Sequence, residues 1–251
     1  MFPLGDDNSD RTRTPIVNYA LIAANVLVFV LFQKLGQDQQ FTNALATVPA
    51  EILSGHDVAR EVIINNPQTG EALGSIELFP TPIPPFMTLF TAMFMHGGFM
   101  HLAGNMLYLW IFGDNLEDRM GHVRYLIYYL LTGVLAGLAH VFVTAATHGN
   151  VFIPCVGASG AISGVLGGYL LLFPGRRVTV IMLRMLTQVP AIVAIGLWFA
   201  FQVISGLASS GVGGGVAYGA HVGGFLAGLI LVKLFAAGSS GRYAPRSMNW
   251  S

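Results

Sequence analysis

Six apolar runs with few charged residues punctuate the chain, roughly 16–32, 99–112, 125–146, 158–173, 189–207 and 217–235. A helix that crosses the hydrocarbon core of a bilayer needs about 20 such residues. The pattern therefore predicts an all-α membrane protein, a bundle of six transmembrane helices. The second and fourth runs are short, so neighbouring residues or buried loops must complete them. The predicted organisation is a polar tail over 1–15, a six-span unit over 16–236 and a second polar tail over 237–251. The first run follows Arg11 and Arg13, and Ala44, Leu45 and Ala46 look like a small-x-small cleavage site. That tripeptide lies well beyond the run and five more runs follow, so a retained helix is expected.

Between the first two runs lies a long connection, 33–95. Within it, EVIINNPQTGEALGSIELFP holds two β-type runs around Pro67, Gln68, Thr69 and Gly70, which reads as a hairpin. FPTPIPP, residues 79–85, breaks regular structure. The stretch 86–95 is apolar but too short to span, and is expected to lie along the membrane surface or dip into it.

Composition strengthens the membrane reading. Apolar residues make up 54% of the 251 and charged residues only 10%, against about 25% charge in soluble domains. The 31 glycines suggest helices packed backbone to backbone. A net charge of zero leaves no footprint for nucleic acid, and Cys155, the single cysteine, excludes an internal disulfide. Basic residues set the orientation. With Arg11 and Arg13 inside, Arg119, Arg124, Arg176, Arg177, Arg184, Lys233, Arg242 and Arg246 also fall inside, and Lys34 and Arg60 fall outside. Ten against two predicts that both termini are cytoplasmic and that 33–95 is an outer loop.

Polar side chains inside spans are costly, so those present are candidate functional groups. Ser159 opens the fourth run, His221 lies one turn into the sixth, and His101 and Asn105 stand near the start of the second. The predicted topology puts all four in the outer half of the bilayer. A serine hydroxyl becomes a nucleophile when an imidazole takes its proton. Gly160, Gly164 and Gly168 on the fourth run, with Gly219, Gly223, Gly224 and Gly228 on the sixth, form small-xxx-small faces that would bring Ser159 to His221. Backbone N–H groups at the start of the fourth helix, together with His101 and Asn105, four apart on one helical face, could stabilise an oxyanion. No acid follows Asp118, and Asp114, Glu117 and Asp118 sit at the inner end of the second run. A Ser–His dyad without a carboxylate is the reading. Ser163 is expected to bond back to its own helix; His140 and His148 read as interfacial or structural, His56 and His122 as loop residues, and Cys155 as unreactive. No H-E-x-x-H occurs, so no metal site and no cofactor is expected. A histidine-lined transporter or haem-binding membrane protein is the rival from another class, but no acid lies deep in any span for ion coupling, and serine is a poor metal or haem ligand.

HGGFMHLAGN (residues 96–105), GASG (157–160) and AHVGGFLAG (220–228) together resemble the rhomboid family of intramembrane serine proteases. The resemblance implies Ser159 as nucleophile, His221 as base and His101 and Asn105 on the oxyanion side. His96, Gly157, Gly160 and Gly223 then have structural roles near the site. It further implies single-pass membrane proteins as substrates, cut near the outer end of their helix, and a place in the bacterial inner membrane. An inactive, client-binding relative is the alternative, although such proteins lack the serine or the histidine. GDNLEDRMG, residues 113–121, resembles the family's turn after the second span, with Glu117 and Arg119 structural. Two positions depart from the pattern. Met87 and Thr88 stand where many members carry Trp-Arg, and Ser163 stands where some carry an aromatic ring that stacks on the histidine.

The charge asymmetry makes a direct prediction. Reporter fusions at Ser251 and within the turn at Gly70 are expected to report opposite sides of the membrane; the same side for both would break the common depth assigned to the four polar residues.

Overall fold

The computed structural model describes residues 2–65, 69–182, 185–208 and 217–238. Pro67 and Gln68 of the expected turn, Arg184, Arg242 and Arg246 of the charge count, and the tail from 239 onward lie outside the described residues. In chain order the elements are β1 (Phe2–Asp6), α1 (Ile16–Leu27), α2 (Gln39–Ala44), α3 (Pro49–Ser54), β2 (Arg60–Asn65), β3 (Ala72–Leu78), α4 (Thr88–Thr91), α5 (Phe99–Met120), α6 (His122–Ala146), α7 (Ser159–Leu172), β4 (Arg177–Met182), β5 (Met185–Pro190), α8 (Ala191–Ala208) and α9 (Tyr218–Ala236). A π-helical turn, Val28–Phe32, extends α1 to the end of the first apolar run. Short 3-10 turns at Pro85–Met87 and Ala92–Phe94 flank α4.

Each apolar run coincides with a helix. By length and composition α6, α8 and α9 are long and apolar enough to cross a membrane. The 14 residues of α7 rise about 21 Å, short of a roughly 30 Å core. Yet α7 is the centre of the molecule, buried continuously from Gly160 to Tyr169, with α6 and α9 packed along it. By contrast α8 buries only Ala191, Ala194, Ile195 and Gln202. Its Ile192, Leu197, Phe201 and Ile204 are exposed, as are Ile230 and Leu234 of α9. Such apolar outer faces suit a hydrocarbon solvent rather than water.

Glycines set the spacing of the central helices. A Cβ on Gly224 would lie 2.2 Å from the Gly160 carbonyl oxygen, and one on Gly228 would lie 2.1 Å from that of Gly164. From the other side, a Cβ on Gly167 would lie 2.2 Å from the Phe225 carbonyl oxygen. These three glycines make the α7–α9 seam. The expected division of labour is corrected here: Gly160, Gly164 and Gly168 turn their open faces to Ala136, Thr132 and Tyr128 of α6, and Gly219 and Gly223 face Val143 and Ala139 of the same helix. Tyr128 closes the three-helix contact by donating its hydroxyl to the carbonyls of Gly164 at 2.7 Å and Gly228 at 3.1 Å.

Strands correct the all-α expectation. The hairpin is present, with β2 and β3 antiparallel and Val62 opposite Ile76. A second sheet, in the order β1-β4-β5, was not foreseen. Its hairpin RVTVIM and MLTQVP fills the connection between the fourth and fifth runs, and the N-terminal FPLGD adds as an antiparallel edge strand. The second helix is also longer than its apolar run. GDNLEDRM is not a turn but the last two turns of α5, which stop at Gly121 with φ +82°. It stays helical because its polar groups have partners. Glu117 accepts from the backbone N–H groups of Val17 and Asn18, capping α1. Asp118 accepts from the N–H groups of Thr12 and Arg13, and Asp114 pairs with Arg11. His122, read as a loop residue, opens α6 and contacts Glu117.

Asp6 ties β1 to the bundle, accepting from the Tyr169 hydroxyl and from Asn115 Nδ2. Burial, the largest influence, pushes its carboxyl up to about 7 from an ordinary 3.8. The folded state therefore binds the proton more tightly than the unfolded chain, so docking of β1 is strongest below about pH 4, weakens as pH rises toward 7 and is level above. Hydrogen exchange at the β1–β4 amides, corrected for intrinsic rates, is expected to show this loss of protection, and Asp6→Asn is expected to flatten it. Equal protection of the wild-type strand at pH 5 and pH 8 would contradict the assignment.

Candidate active site

The chain before α7 is held by the long connection. Thr47 and Cys155 exchange backbone hydrogen bonds of 3.0 and 2.8 Å, and the Gly157 N–H donates to the Ala92 carbonyl at 2.9 Å. Gly157 takes φ +131°, and a Cβ there would lie 2.8 Å from Cε1 of His101 and 2.9 Å from its Nε2. Both the backbone angle and the imidazole exclude a side chain at this position. The same point is 3.6 Å from Ser159 Oγ, so His101 and Ser159 flank one small space. Thr88, the departure from the family pattern, anchors the α4 segment: its Oγ1 donates to the Pro85 carbonyl at 2.6 Å, and its own carbonyl accepts from Thr47 Oγ1 at 3.0 Å.

Ser159 is the first residue of α7, which has no side-chain cap, so its leading N–H groups are free of a capping oxygen. Across the glycine seam, His221 Nε2 stands 2.8 Å from Ser159 Oγ. The other ring nitrogen, Nδ1, stands 2.7 Å from Oε1 of Gln202 on α8. Trp198 and Tyr218 flank the imidazole at centroid distances of 6.1 and 6.5 Å. Ser163 donates to the Ser159 carbonyl at 2.6 Å, the local back-bond expected of it. Beside Ser159 a cavity of about 30 Å³ opens, lined in part by Met93, His140, Gly157 and Ala220.

His101 and Asn105 lie one turn apart on α5. His101 is exposed, its Nδ1 3.4 Å from the Gly97 N–H and its ring edge-on to that of His96. Asn105 is buried, and its Nδ2 has no hydrogen-bond partner. An orphan donor of this kind is rare enough to invite a functional explanation. His96 is wholly buried with both ring nitrogens unpartnered. Its backbone is gripped by Gln33 from the end of the first apolar run, which accepts from the His96 N–H and donates to the His96 carbonyl, both at 2.9 Å. Gly160 and Gly223 face α6, so their part is spacing.

The chain has relatives among known proteins. The Rhomboid domain matches residues 85–238. The chain belongs to the rhomboid family. Rhomboid protease GluP of Bacillus subtilis is 35% identical over 185 residues, 73% of this chain and 33% of that protein. Rhomboid protein 1, mitochondrial, of Saccharomyces cerevisiae is 31% identical over 140 residues, 55% of this chain and 38% of that one. Presenilin-associated rhomboid-like protein, mitochondrial, of Homo sapiens is 33% identical over 94 residues, 38% and 24% respectively. The chain thus spans between 24% and 38% of the length of these curated relatives. Membership and the apolar helices make it an integral membrane protein.

Sequence reasoning passed over Gln202 and Gln33. The usable signal was that Gln202 is the one long polar side chain in α8, where an unpaired amide is costly. Gln33 had a weaker signal, standing where the first apolar run ends.

Gly157 offers a check on this geometry. Gly157→Ala is expected to destabilise the fold by about 1–3 kcal/mol. Gly175→Ala, with open space around it, is expected to stay within about 0.5 kcal/mol. Equal melting temperatures for the two variants would contradict the described packing of His101 on Gly157.

Proposed function

We propose that this rhomboid is an active intramembrane serine endopeptidase in which Ser159 is the nucleophile and His221 the general base. The observation that carries the reading is the 2.8 Å contact between Ser159 Oγ and His221 Nε2, within the reach that proton transfer requires. Ser159 Oγ attacks the scissile carbonyl while Nε2 takes its proton. The oxyanion that forms is met by N–H groups at the start of α7, by His101 and by Nδ2 of Asn105, whose lack of a partner leaves it free to donate. The imidazolium returns the proton to the leaving amine. Water then attacks the acyl-enzyme with His221 again as base, releasing the new carboxylate and restoring the serine. The cavity beside Ser159 is large enough to admit a water molecule.

The same reading treats residues 16–236 as one six-span protease unit, with α1, α5 and α7 spanning alongside α6, α8 and α9. It places 33–95 as the outer loop and both tails, 1–15 and 237–251, in the cytoplasm of a bacterium, with the unit in the inner membrane. The positive-inside asymmetry supports that orientation. The substrates are single-pass membrane proteins cut in or beside their helix. The open position of Ser159 at a helix mouth supports this, since hydrolysis needs water and an unwound peptide bond. The acids of α5 are committed to Arg11 and to the backbone N–H groups of Thr12, Arg13, Val17 and Asn18, and Nδ1 of His221 faces the Gln202 amide, which supports a pair that works without a carboxylate.

Ser159→Ala and His221→Ala are each expected to abolish cleavage of a transmembrane reporter in proteoliposomes, with the double variant no worse than either single. Asn105→Ala is expected to slow turnover about 10²- to 10³-fold while still reacting at Ser159. Near-normal turnover in a folded Ser159→Ala protein would overturn the proposal.

A further inference from the structure

Gln202 is a buried amide in a helix otherwise built of apolar and small residues, AIVAIGLWFAFQVISGLA. An amide placed there without a partner would cost more than an aliphatic side chain of the same size. Its Oε1 points at Nδ1 of His221, 2.7 Å away. Nothing on α7 holds the imidazole from below, because the Ser163 hydroxyl is turned to its own helix. Trp198, one turn before Gln202 on α8, lies against the same ring.

A neutral imidazole carries one proton, on either nitrogen. An oxygen facing Nδ1 requires N–H there, since an oxygen opposite a bare ring nitrogen would set two lone pairs against each other. The remaining nitrogen, Nε2, then has its lone pair directed at Ser159. This is the only neutral form able to receive the serine proton. The opposite form would present an N–H to the serine oxygen and could not act as base. After proton transfer, the imidazolium keeps the same bond to the amide oxygen, so the ring does not reorient between steps. A neutral amide also avoids burying a second charge in an apolar helix.

We propose that Gln202 is the positioning residue of this site: by accepting the Nδ1–H of His221 it selects the ring tautomer that can act as base and holds Nε2 on Ser159. The proposal rests on the reading of Ser159 and His221 as nucleophile and base. It gives α8 a role in the site through His221, which in turn meets the serine hydroxyl.

The test compares Gln202→Leu, which removes the acceptor at similar volume, with Gln202→Glu, which keeps an oxygen at the same reach. The substrate is a fluorophore- and quencher-labelled transmembrane peptide in detergent micelles, assayed beside Ser159→Ala. Gln202→Leu is expected to lose about 10- to 100-fold in kcat, the size of effect seen when the partner that orients a metal-bound histidine is removed, with KM and melting temperature close to wild type. Gln202→Glu is expected to recover most of that loss. Nitrogen-15 NMR of the His221 ring is expected to show the Nδ1–H form in the wild type and a mixture of forms in Gln202→Leu. If Gln202→Leu does not fold, Gln202→Met, unbranched and of similar length, takes its place in the same comparison. Wild-type kcat in the folded acceptor-free variant, or equal losses in the Leu and Glu variants accompanied by equal falls in melting temperature, overturns the positioning role. Activity in Ser159→Ala overturns the underlying site reading instead, so the two failures are told apart.

Discussion

Backbone contact between α7 and α9 is the constraint on which the arrangement depends. Gly224 and Gly228 lie against the carbonyls of Gly160 and Gly164, with no room for a methyl group at either place. Because apolar side chains gain little from each other in lipid, close packing and interhelical hydrogen bonds must supply the attraction. Tyr128 adds both, donating to a carbonyl of each helix. At this spacing Ser159, which opens α7, and His221, in the first turn of α9, come within hydrogen-bonding distance across the seam. A wider separation set by alanine or larger residues would keep the helices and lose the contact.

The two ends of the bundle do different work. At the end of α5 remote from Ser159, charged and amide groups are spent on structure. Glu117 caps α1, Asp118 binds the segment just before it, and Asn18 donates to the Leu109 carbonyl while accepting from the Tyr125 hydroxyl. At the Ser159 end, by contrast, Asn105 Nδ2 and both His96 ring nitrogens have no partner. Asn25 Oδ1, Thr81 Oγ1 and Tyr129 OH are also unpartnered among the described residues, but Asn105 Nδ2 is the orphan donor on the helix face that carries His101, beside the proposed chemistry.

Much of this was legible in the chain. Charge-free apolar length marked the helices, β-branched alternation marked the hairpin of β2 and β3, and shared depth singled out Ser159, His221, His101 and Asn105. What was not legible depended on partners distant in sequence. RVTVIM looked like part of a connection because the strand that completes its sheet, FPLGD, lies about 170 residues earlier. GDNLEDRM looked like a turn by its resemblance to the family, whereas its charges bond to the N-terminal segment and α1 and keep it helical. Glycine spacing announced close packing but not its direction, since one small face can serve α6 as readily as α9. Gln202 was missed because a lone amide in an apolar run gains meaning only when the imidazole facing it is known.

The central claim is that helix spacing makes Ser159 a nucleophile. It is tested most directly by the rate at which a fluorophosphonate probe labels the purified protein, with the adduct mapped by mass spectrometry, in wild type and Gly228→Ala. Gly228 lies about two helical turns beyond His221 and reaches the site only through the seam. The account predicts an adduct on Ser159 in the wild type and a labelling rate reduced at least about tenfold in the folded Gly228→Ala protein, in keeping with the cost of misplacing catalytic groups by about 1 Å. An adduct on Ser163, or an unchanged rate in folded Gly228→Ala, would contradict it.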